Sequence, residues 1–389
     1  MNGFSQLRCG LLGERLGHSL SPVIHALLAD YSYRLFERAP GEVEEFLRTG
    51  AYDAINVTIP YKKTAFACCD EVSDEARRLG NVNVVVRRGG RLYGDNTDAH
   101  GFRRLLAEVG VDIAALAGET CIVLGSGGAG TTVRCVLEAA GARVVTVSRT
   151  GEDNYGNLAR HDRARLLVNA TPVGMFPHGE AMPVDPAALP GLRAVCDLVY
   201  NPSPTRLVRR ARELGLAAAD GMTMLLAQAR RAAEIFTGGL LAENLYLYGP
   251  PGSGKSTLAR RLAFAFERPL VDLDAEIVAE AGRPIAEQFA GEGEAAFRAR
   301  EKAVLGRVAS RSGQVVALGG GALLDPESRA LCERTGRVFV LDCDEAELLR
   351  RVSRSAERPL LAGDARAKLA RLLDARRAHY ASFPLHARI

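Results

Sequence analysis

No apolar run in the sequence reaches the roughly 18 residues that a membrane-spanning helix needs, and the first residues lack the continuous apolar stretch of a signal peptide. These absences predict a cytoplasmic protein that does not bind membranes. The formal net charge is only +4, and arginine is spread along the chain. This argues against nucleic-acid binding, which usually requires a concentrated basic face. The oligomeric state stays open.

Zinc-type cysteine spacings are absent, and lysine is scarce. The eight cysteines include no Cys-x-x-Cys pair, which predicts unpaired thiols rather than a zinc site. Lysine can release a proton more readily than arginine, so the lysines kept in an arginine-rich chain are candidates for catalytic groups. Among the 50 basic residues the lysines are Lys62, Lys63, Lys255, Lys302 and Lys368.

Two different glycine-rich loops are present, one at residues 125–130 and the other at residues 249–256. A length of 389 residues predicts two or three domains, and a hydrophobic content of 47% is typical of globular proteins. Short apolar strands alternate with helical patterns, which indicates an α/β fold. We therefore expect a nucleotide-binding domain around each loop.

The first loop reads Gly-Ser-Gly-Gly-Ala-Gly and lies between a predicted strand at 120–124 and a predicted helix at 131–140. Glycines in this position let the backbone approach a pyrophosphate, and the N-terminus of the helix presents N–H groups to it. The loop therefore predicts a Rossmann-like dinucleotide site. Its predicted contacts are Gly125, Gly127, Gly128, Ala129 and Gly130.

The residues after the next predicted strand, 143–147, indicate which dinucleotide is bound. They are Ser148, Arg149 and Thr150, which we expect to contact the cofactor. A site for NAD usually places an acidic residue there to bind the ribose 2′-hydroxyl, whereas an arginine favours a 2′-phosphate. The sequence therefore predicts NADP(H) rather than NAD.

The second loop reads Gly-Pro-Pro-Gly-Ser-Gly-Lys-Ser, between a predicted strand at 245–248 and a predicted helix at 257–266. This is the P-loop pattern, in which backbone N–H groups surround the phosphates of ATP. Lys255 would reach the β and γ oxygens, and Ser256 would bind Mg²⁺. The predicted contacts are Gly252, Ser253, Gly254, Lys255, Ser256 and Thr257.

Residues 5–240 resemble shikimate dehydrogenase in seven motifs that occur in the same order. The motifs are His-Ser-Leu-Ser-Pro at 18–22, Asn-Val-Thr-Ile-Pro-Tyr-Lys at 56–62, Val-Asn at 82–83, Gly-Asp-Asn-Thr-Asp at 94–98, Asn-Ala-Thr-Pro-Val-Gly-Met at 169–175, Asp-Leu-Val-Tyr-Asn-Pro at 197–202, and Asp-Gly at 220–221 with Gln228. The resemblance implies reduction of 3-dehydroshikimate to shikimate with NADPH. The implied fold has two lobes, the second of them Rossmann-like.

The resemblance also implies roles for individual residues. Lys62 would exchange the proton, and Asp98 would orient its ammonium group. Ser19 and Ser21 would bind the substrate carboxylate, with Tyr200 nearby. The ring hydroxyls would be read by Thr58, Asn83, Asp98 and Gln228, and further cofactor contacts would come from Thr171 and Gly221.

One departure from the family pattern keeps an alternative open. The family often has a second basic residue just beyond the Arg149 position, but Gly-Glu-Asp-Asn stands at 151–154 here. This weakens the predicted clamp on the 2′-phosphate. A dehydrogenase that acts on quinate with NAD therefore stays an alternative, although Ser19, Ser21 and Arg149 favour shikimate with NADP.

Residues 245–385 resemble shikimate kinase. The matching pieces are Asp-Leu-Asp at 272–274, Phe-Arg at 297–298 with Glu301, three glycines at 319–321, Arg-Pro-Leu-Leu at 358–361, and Arg376 four residues before Tyr380. Asp274 would bind the ring hydroxyls and accept the attacking proton, and Asp272 would hold Mg²⁺ with Ser256. Arg298 and Arg376 would bind the carboxylate. For the remaining residues, the resemblance implies that Gly320 and Gly321 lie against the ring, that Arg358 contacts the transferring phosphoryl group, and that Arg351 stacks on adenine.

Together these patterns predict a bifunctional enzyme that forms shikimate and then phosphorylates it. The expected domains are a substrate-binding lobe at 1–100 completed by 221–240, an NADP-binding lobe at 101–220, and a kinase domain at 241–389 with a parallel sheet flanked by helices. A metabolite-sensing regulator built from inactive copies is a second hypothesis. The presence of Lys62, Asp98, Lys255 and Ser256 argues against it.

Overall fold

The computed structural model describes residues 4–17, 19–239, 241–344, 347–348, 350 and 365–388. Over these residues the chain forms two compact units, and the division between them follows Gly239. Both units are built from sheets with helices, which confirms the predicted α/β class. None of the helices in these ranges is long and apolar enough to cross a membrane.

The first unit begins with a six-stranded sheet. Its strands are β1 (Arg8–Gly13), β2 (Ser32–Glu37), β3 (Ala54–Val57), β4 (Glu71–Val72), β5 (Val84–Arg88) and β6 (Arg91–Asp95). The order is β2-β1-β3-β5-β6-β4, and β5 runs antiparallel to both of its neighbours. All four residues of β3 are buried, as expected for a central strand that is covered on both faces.

The described residues of the first unit form eight α-helices. They are α1 (Ser21–Leu28), α2 (Val43–Thr49), α3 (Lys62–Cys68), α4 (Asp74–Leu79), α5 (Asp98–Glu108), α6 (Gly128–Ala139), α7 (Arg206–Glu213) and α8 (Met222–Thr237). The last helix, α8, packs closely against α5, because a Cβ atom at Gly101 would lie 2.6 Å from the carbonyl oxygen of Met224. The lobe boundary predicted after residue 100 falls inside α5, and the domain boundaries stay predictions.

A second, fully parallel sheet completes this unit. Its strands are β7 (Thr120–Leu124), β8 (Arg143–Val147), β9 (Leu166–Asn169), β10 (Ala194–Asp197) and β11 (Ala217–Ala219), in the order β11-β10-β9-β7-β8. The loop at 125–130 joins β7 to α6, as the sequence predicts. Because the strands are parallel, the segments that follow β7, β9 and β10 meet at one edge of the sheet, where α/β proteins bind ligands.

The second unit contains a five-stranded parallel sheet in the order β13-β14-β12-β15-β16. The strands are β12 (Asn244–Tyr248), β13 (Leu270–Asp272), β14 (Val315–Ala317), β15 (Gly336–Asp342) and β16 (His386–Arg388). Five helices have both ends within the described residues: α9 (Lys255–Ala265), α10 (Leu273–Ala281), α11 (Ile285–Ala309), α12 (Pro326–Thr335) and α13 (Ala365–Ala381). All five residues of β12 are buried, so the P-loop follows a central, covered strand.

Two helix starts differ from the predictions. Helix α6 begins at Gly128 rather than at residue 131, and α9 begins at Lys255 rather than at residue 257. The first turn of a helix needs no intrahelical partner for its N–H groups, so loop residues that are poor helix formers can still belong to it. Both glycine-rich loops therefore pass directly into a helix N-terminus.

Candidate active sites

The side chains of Lys62 and Asp98 form an ion pair in the first unit. The Nζ atom of Lys62 donates a hydrogen bond to Oδ2 of Asp98 at 2.5 Å, and the two side chains are only 24% and 15% exposed. Lys62 is the first residue of α3, and Asp98 is the first residue of α5. A carboxylate is favoured at a helix N-terminus whereas an ammonium is not, so Asp98 offsets the unfavourable position of Lys62.

Amide side chains fix the second oxygen of Asp98. Asn83 donates from Nδ2 to Oδ1 of Asp98 at 2.9 Å and to the hydroxyl of Thr97 at 3.0 Å, and its Oδ1 accepts from the backbone N–H of Thr97. The Asn96 Oδ1 atom accepts from the backbone N–H of Asp98, and its Nδ2 donates to Asn81. The carboxylate therefore has one oxygen for Lys62 and one for Asn83.

The other predicted substrate residues are arranged around this group in different ways. Oε1 of Gln228, on α8, lies 3.4 Å from the Thr97 hydroxyl and 3.5 Å from Asn83 Nδ2, so it joins the same cluster. Ser19, Ser21, Thr58 and Tyr200 make no direct hydrogen bond to that cluster among the described contacts. Ser21 begins α1, and its N–H donates to the Ser19 hydroxyl at 3.2 Å. Thr58 follows β3, and Tyr200 lies just beyond β10.

Sequence reasoning missed Asn81, Asn96 and Thr97 as parts of this site. Asn96 and Thr97 lie inside the motif at 94–98, and Asn81 directly precedes the motif at 82–83. Thr97 accepts a hydrogen bond from Asn83, and Asn96 accepts one from the backbone N–H of Asp98. Asn81 in turn accepts from Asn96. A run of amide and hydroxyl side chains beside the predicted carboxylate Asp98 was the available signal.

The glycines of the first loop meet two different needs. Gly125 has φ of +100°, and a Cβ atom there would lie 2.9 Å from Cγ2 of Thr171. A Cβ atom at Gly130 would lie 2.2 Å from the carbonyl oxygen of Gly125, so this glycine permits the close contact of α6 with the loop. At Gly127 and Gly128 nothing lies within 4 Å, which leaves the loop backbone open to a pyrophosphate.

Gly221 and Thr171 extend this edge of the sheet. A Cβ atom at Gly221 would lie 2.1 Å from the carbonyl oxygen of Leu198, so the start of α8 touches the segment after β10. The hydroxyl of Thr171 donates to Oδ1 of Asn169 at 2.7 Å. Both predicted cofactor contacts thus lie at the carboxyl ends of the parallel strands.

The segment after β8 carries the predicted 2′-phosphate clamp. Ser148 is half-buried, whereas Arg149 and Thr150 are exposed. The Asp153 carboxylate accepts hydrogen bonds from Arg160 at 2.5 Å and pairs with His161 at 2.6 Å, and these partners lower its pKa. Arg160 is therefore a second basic residue close in the chain, but its guanidinium is engaged with Asp153. No periodic pattern in the sequence predicts this contact.

In the second unit, Lys255 lies against its own loop. Its Nζ atom donates to the carbonyl oxygens of Gly249 and Pro250, both at 2.9 Å. Gly249, Gly252 and Gly254 have φ values of +132°, +84° and +91°, which side chains disfavour. Ser253 is fully buried, while Ser256 and Thr257 lie exposed in the first turn of α9. The loop therefore has the backbone form that a triphosphate site requires.

Ser256 and Asp272 form the best candidate for a metal-binding pair. The Ser256 hydroxyl donates to Oδ2 of Asp272 at 3.0 Å, while Oδ1 of Asp272 accepts from the N–H of Asp274 and caps α10. In the described ranges no group of three or more His, Cys, Asp or Glu side chains could hold a metal ion. Two adjacent oxygen ligands suit Mg²⁺, which usually takes its remaining ligands from water and phosphate.

The three glycines at 319–321 form a third segment at this edge of the sheet, directly after β14. A Cβ atom at Gly319 would lie 2.9 Å from Oδ1 of Asp274, and one at Gly321 would lie 2.9 Å from the Arg298 guanidinium. Arg376 donates from Nη1 to the carbonyl oxygen of Gly320 at 2.9 Å. The glycines therefore bring together the predicted residues Asp274, Arg298 and Arg376.

Glu301 is a further member of this cluster, and sequence reasoning assigned it no role. Its Oε2 accepts from Arg298 Nη1 at 2.6 Å, and its side chain is 5% exposed. Burial raises the pKa of Glu301, although the charge of Arg298 opposes this shift. Glu301 thus accepts from Nη1 of Arg298, while the exposed Glu294 accepts from Nε at 3.4 Å and from Nη2 at 3.3 Å.

Comparison with known proteins agrees with the two halves of the molecule. The family model of the shikimate dehydrogenase substrate binding domain matches residues 11–85, and that of shikimate kinase matches residues 251–387. The shikimate dehydrogenase (NADP(+)) of Clostridium perfringens is 36% identical over 251 residues, which cover 59% of this chain and 92% of the relative. The chain belongs to the shikimate dehydrogenase family.

Two solved structures extend the comparison to the fold. Shikimate 5-dehydrogenase from Thermus thermophilus, in complex with NADP(H) and shikimate, is 37% identical and covers 61% of this chain and 95% of its own, with a TM-score of 0.53. Quinate dehydrogenase from Corynebacterium glutamicum, in complex with NAD, is 27% identical and covers 60% and 94%, with a TM-score of 0.53. The likeness to a Rossmann-type dehydrogenase is confirmed.

The shikimate dehydrogenase part is followed by a shikimate kinase domain, so one chain combines two enzymes of the shikimate pathway. The predictions for Arg351, for Arg358 and for the motif at 358–361 concern residues outside the described ranges. All eight cysteines lie in the described ranges and are free thiols, as predicted.

Proposed function

We propose that the first unit reduces 3-dehydroshikimate to shikimate with NADPH. The Lys62–Asp98 ion pair, with Asn83 on the second carboxylate oxygen, carries the proposal. NADPH, when bound, supplies the hydride that adds to the ketone carbon. Lys62 donates a proton from Nζ to the ketone oxygen as negative charge develops there. Asp98 keeps the ammonium group in position, and Asn83 keeps Asp98 in position.

The substrate would be held by polar groups on five segments of this unit. The hydroxyls of Ser19 and Ser21 bind the carboxylate, and Tyr200 lies beside it. Thr58, Asn83 and Gln228 bind the ring hydroxyls. The adjacency of Asn83, Asp98 and Gln228 supports this assignment, because one ring hydroxyl can contact several of these side chains.

The cofactor assignment rests on the open glycine loop and on Arg149. The open faces of Gly127 and Gly128 fit a pyrophosphate, and exposed Arg149 suits a 2′-phosphate. One observation favours the alternative of NAD with quinate: Arg160, the second basic residue near the predicted clamp, is paired with Asp153. The likeness to quinate dehydrogenase keeps this alternative in the test.

The second unit, in our proposal, transfers the γ-phosphoryl group of ATP to the 3-hydroxyl of shikimate. Asp274 accepts the proton of that hydroxyl, while Arg298 and Arg376 bind the substrate carboxylate. Lys255 exchanges its loop carbonyls for phosphate oxygens, and Ser256 with Asp272 would hold Mg²⁺. The ion, when bound, neutralises charge on the phosphates. The grouping of Asp274, Arg298 and Arg376 around residues 319–321 carries this assignment.

One coupled assay tests both assignments. Purified protein is incubated with 3-dehydroshikimate, NADPH and MgATP while absorbance at the NADPH band and product masses are followed. We expect NADPH oxidation and the appearance of shikimate 3-phosphate. Oxidation that stops at shikimate would contradict the kinase assignment, and oxidation of quinate by NAD at a higher kcat/KM would favour the alternative. No turnover with any of these substrates would favour the sensor hypothesis.

A further inference from the structure

A buried aromatic and amide network lies beside the shikimate dehydrogenase site and belongs to none of the motif roles above. His25 on α1, Tyr33 on β2 and Asn56 on β3 come together there, and Tyr31 and Phe236 complete the cluster. The His25 ring stacks on Tyr33 with centroids 4.0 Å apart and planes 13° apart. His25 is 1% exposed, and Asn56 is 6% exposed.

The Tyr33 hydroxyl connects two segments that carry proposed substrate residues. It donates to Oδ1 of Asn56 at 2.8 Å, and the Ser21 side chain lies near enough to oppose the rise that burial causes in the pKa of Tyr33. Asn56 in turn donates from Nδ2 to the carbonyl oxygen of Asn83 at 3.3 Å. The Tyr33 hydroxyl therefore lies between the start of α1 and the end of β3, and Asn56 continues the contact to the backbone of Asn83.

His25 holds the Tyr33 ring and not the substrate residues themselves. Its Nδ1 atom lies 2.6 Å from the Tyr31 hydroxyl, and Phe236 stacks at 5.7 Å. Burial lowers the pKa of His25 to about 3, although a hydrogen bond with Asn56 opposes the shift, so the ring is neutral at working pH. The neutral His25 ring packs against the Tyr33 ring, and this packing fixes the direction in which the Tyr33 hydroxyl points.

We propose that Tyr33 is a positioning residue of the dehydrogenase, and that its hydroxyl sets the spacing between the Ser21 segment and the Asn56–Asn83 segment to fit the substrate. This inference rests on the proposed function of the first unit. In this inference Tyr33 affects substrate binding by positioning Ser21 and Asn83, and it takes no part in the proton transfer. Loss of the hydroxyl should therefore weaken ground-state and transition-state binding alike.

The test is Tyr33→Phe, which keeps the ring that stacks on His25. We expect KM for 3-dehydroshikimate to rise about tenfold with kcat within about twofold, because one shared hydrogen bond is lost. Tyr31→Phe is the matched control: it removes a hydroxyl of the same cluster, one that lies 2.6 Å from Nδ1 of His25. It should lower Tm and leave KM unchanged.

Three readouts separate positioning from a structural role. Tm and the kinase rate of the same molecules report folding, while the ratio of variant to wild-type KM reports positioning. Unchanged KM in Tyr33→Phe overturns the proposal, and so does an equal loss of kcat in both variants without a KM change. Wild-type turnover in the same assay tests the proposed function separately, because positioning is read only from ratios to wild type.

Discussion

Lys62 and Lys255 are the two lysines at the centres of the two sites, and their surroundings differ. Lys62 donates to a carboxylate, which is itself fixed by Asn83. Lys255 donates to two neutral backbone carbonyls of its own loop. In the first site the lysine belongs to an ion pair, and in the second site the lysine lies on carbonyl oxygens that a phosphate can replace.

The difference follows from what each lysine has to meet. A ketone carries no net charge until hydride arrives, so a protein carboxylate can stabilise the ammonium without competing with the substrate. A triphosphate arrives with several negative charges. The two carbonyl oxygens that accept from Lys255 carry no net charge, so phosphate oxygens can replace them. The two sites therefore show preorganisation for a proton and for an anion, respectively.

The largest expected effect is that of Lys62→Ala. The variant should lower kcat for 3-dehydroshikimate reduction by about 10²–10⁴, the usual range for one positioned acid–base group, with the phosphorylation rate unchanged. Rates are measured separately with NADPH and with MgATP. Lys63→Ala is the control: Lys63 is the next residue and is exposed, so its replacement should leave both rates unchanged. A loss of both activities in a folded Lys62→Ala protein would contradict independent sites.

Lys255→Ala should have the reverse effect. The phosphorylation rate should fall by about 10²-fold or more, because a fixed charge on the transferring group is lost, whereas reduction should persist. Lys302→Ala is the control: that lysine forms surface ion pairs with Asp325 and Glu327, which contribute little. Retention of kinase activity without Lys255 would mean that the loop does not bind the triphosphate as proposed.

The α/β class and both loops could be predicted because strand–loop–helix patterns are local. The pairing of Lys62 with Asp98 was implied by the resemblance to shikimate dehydrogenase. The supporting contacts are long-range and left little trace in the sequence. Asn56 on β3 donates to the carbonyl oxygen of Asn83, which precedes β5. Asp153 accepts from Arg160 within an irregular segment. Tyr33 and His25 meet only once β2 lies against α1. Such pairs depend on tertiary packing, which periodicity does not report.

Asp272→Asn tests whether Ser256 and Asp272 of the kinase unit bind Mg²⁺ together. Asparagine still caps α10, but it replaces the carboxylate that faces Ser256, so the fold should persist while Mg²⁺ binds less well. We expect the Mg²⁺ concentration for half-maximal phosphorylation to rise about tenfold. Asp325→Asn, at the N-cap of α12, is the matched control and should not change it. Equal Mg²⁺ dependence in both variants would remove Asp272 from the metal site.

The smallest expected effect concerns a tyrosine that resembles Tyr33 in its placement. The carbonyl oxygen of Gly320 accepts hydrogen bonds from Tyr380 at 2.8 Å, from Arg376 at 2.9 Å and from Tyr248 at 3.4 Å. Tyr380 is buried, and its ring packs edge-on against Tyr248 at 5.3 Å. Three donors on one carbonyl fix both the glycine segment and the Arg376 guanidinium that binds the carboxylate in our proposal.

Tyr380→Phe should therefore weaken shikimate binding only slightly. Two donors remain on Gly320, so we expect KM for shikimate to rise about threefold, less than the effect of Tyr33→Phe, where a single hydroxyl joins two segments. Tyr246→Phe is the control, because that buried hydroxyl bonds Thr335 and Asn244 and should change Tm without changing KM. If Tyr380→Phe raised KM as much as Tyr33→Phe does, each site would depend on a single tyrosine hydroxyl of its own. The other two donors to Gly320 would then not compensate for the loss of Tyr380.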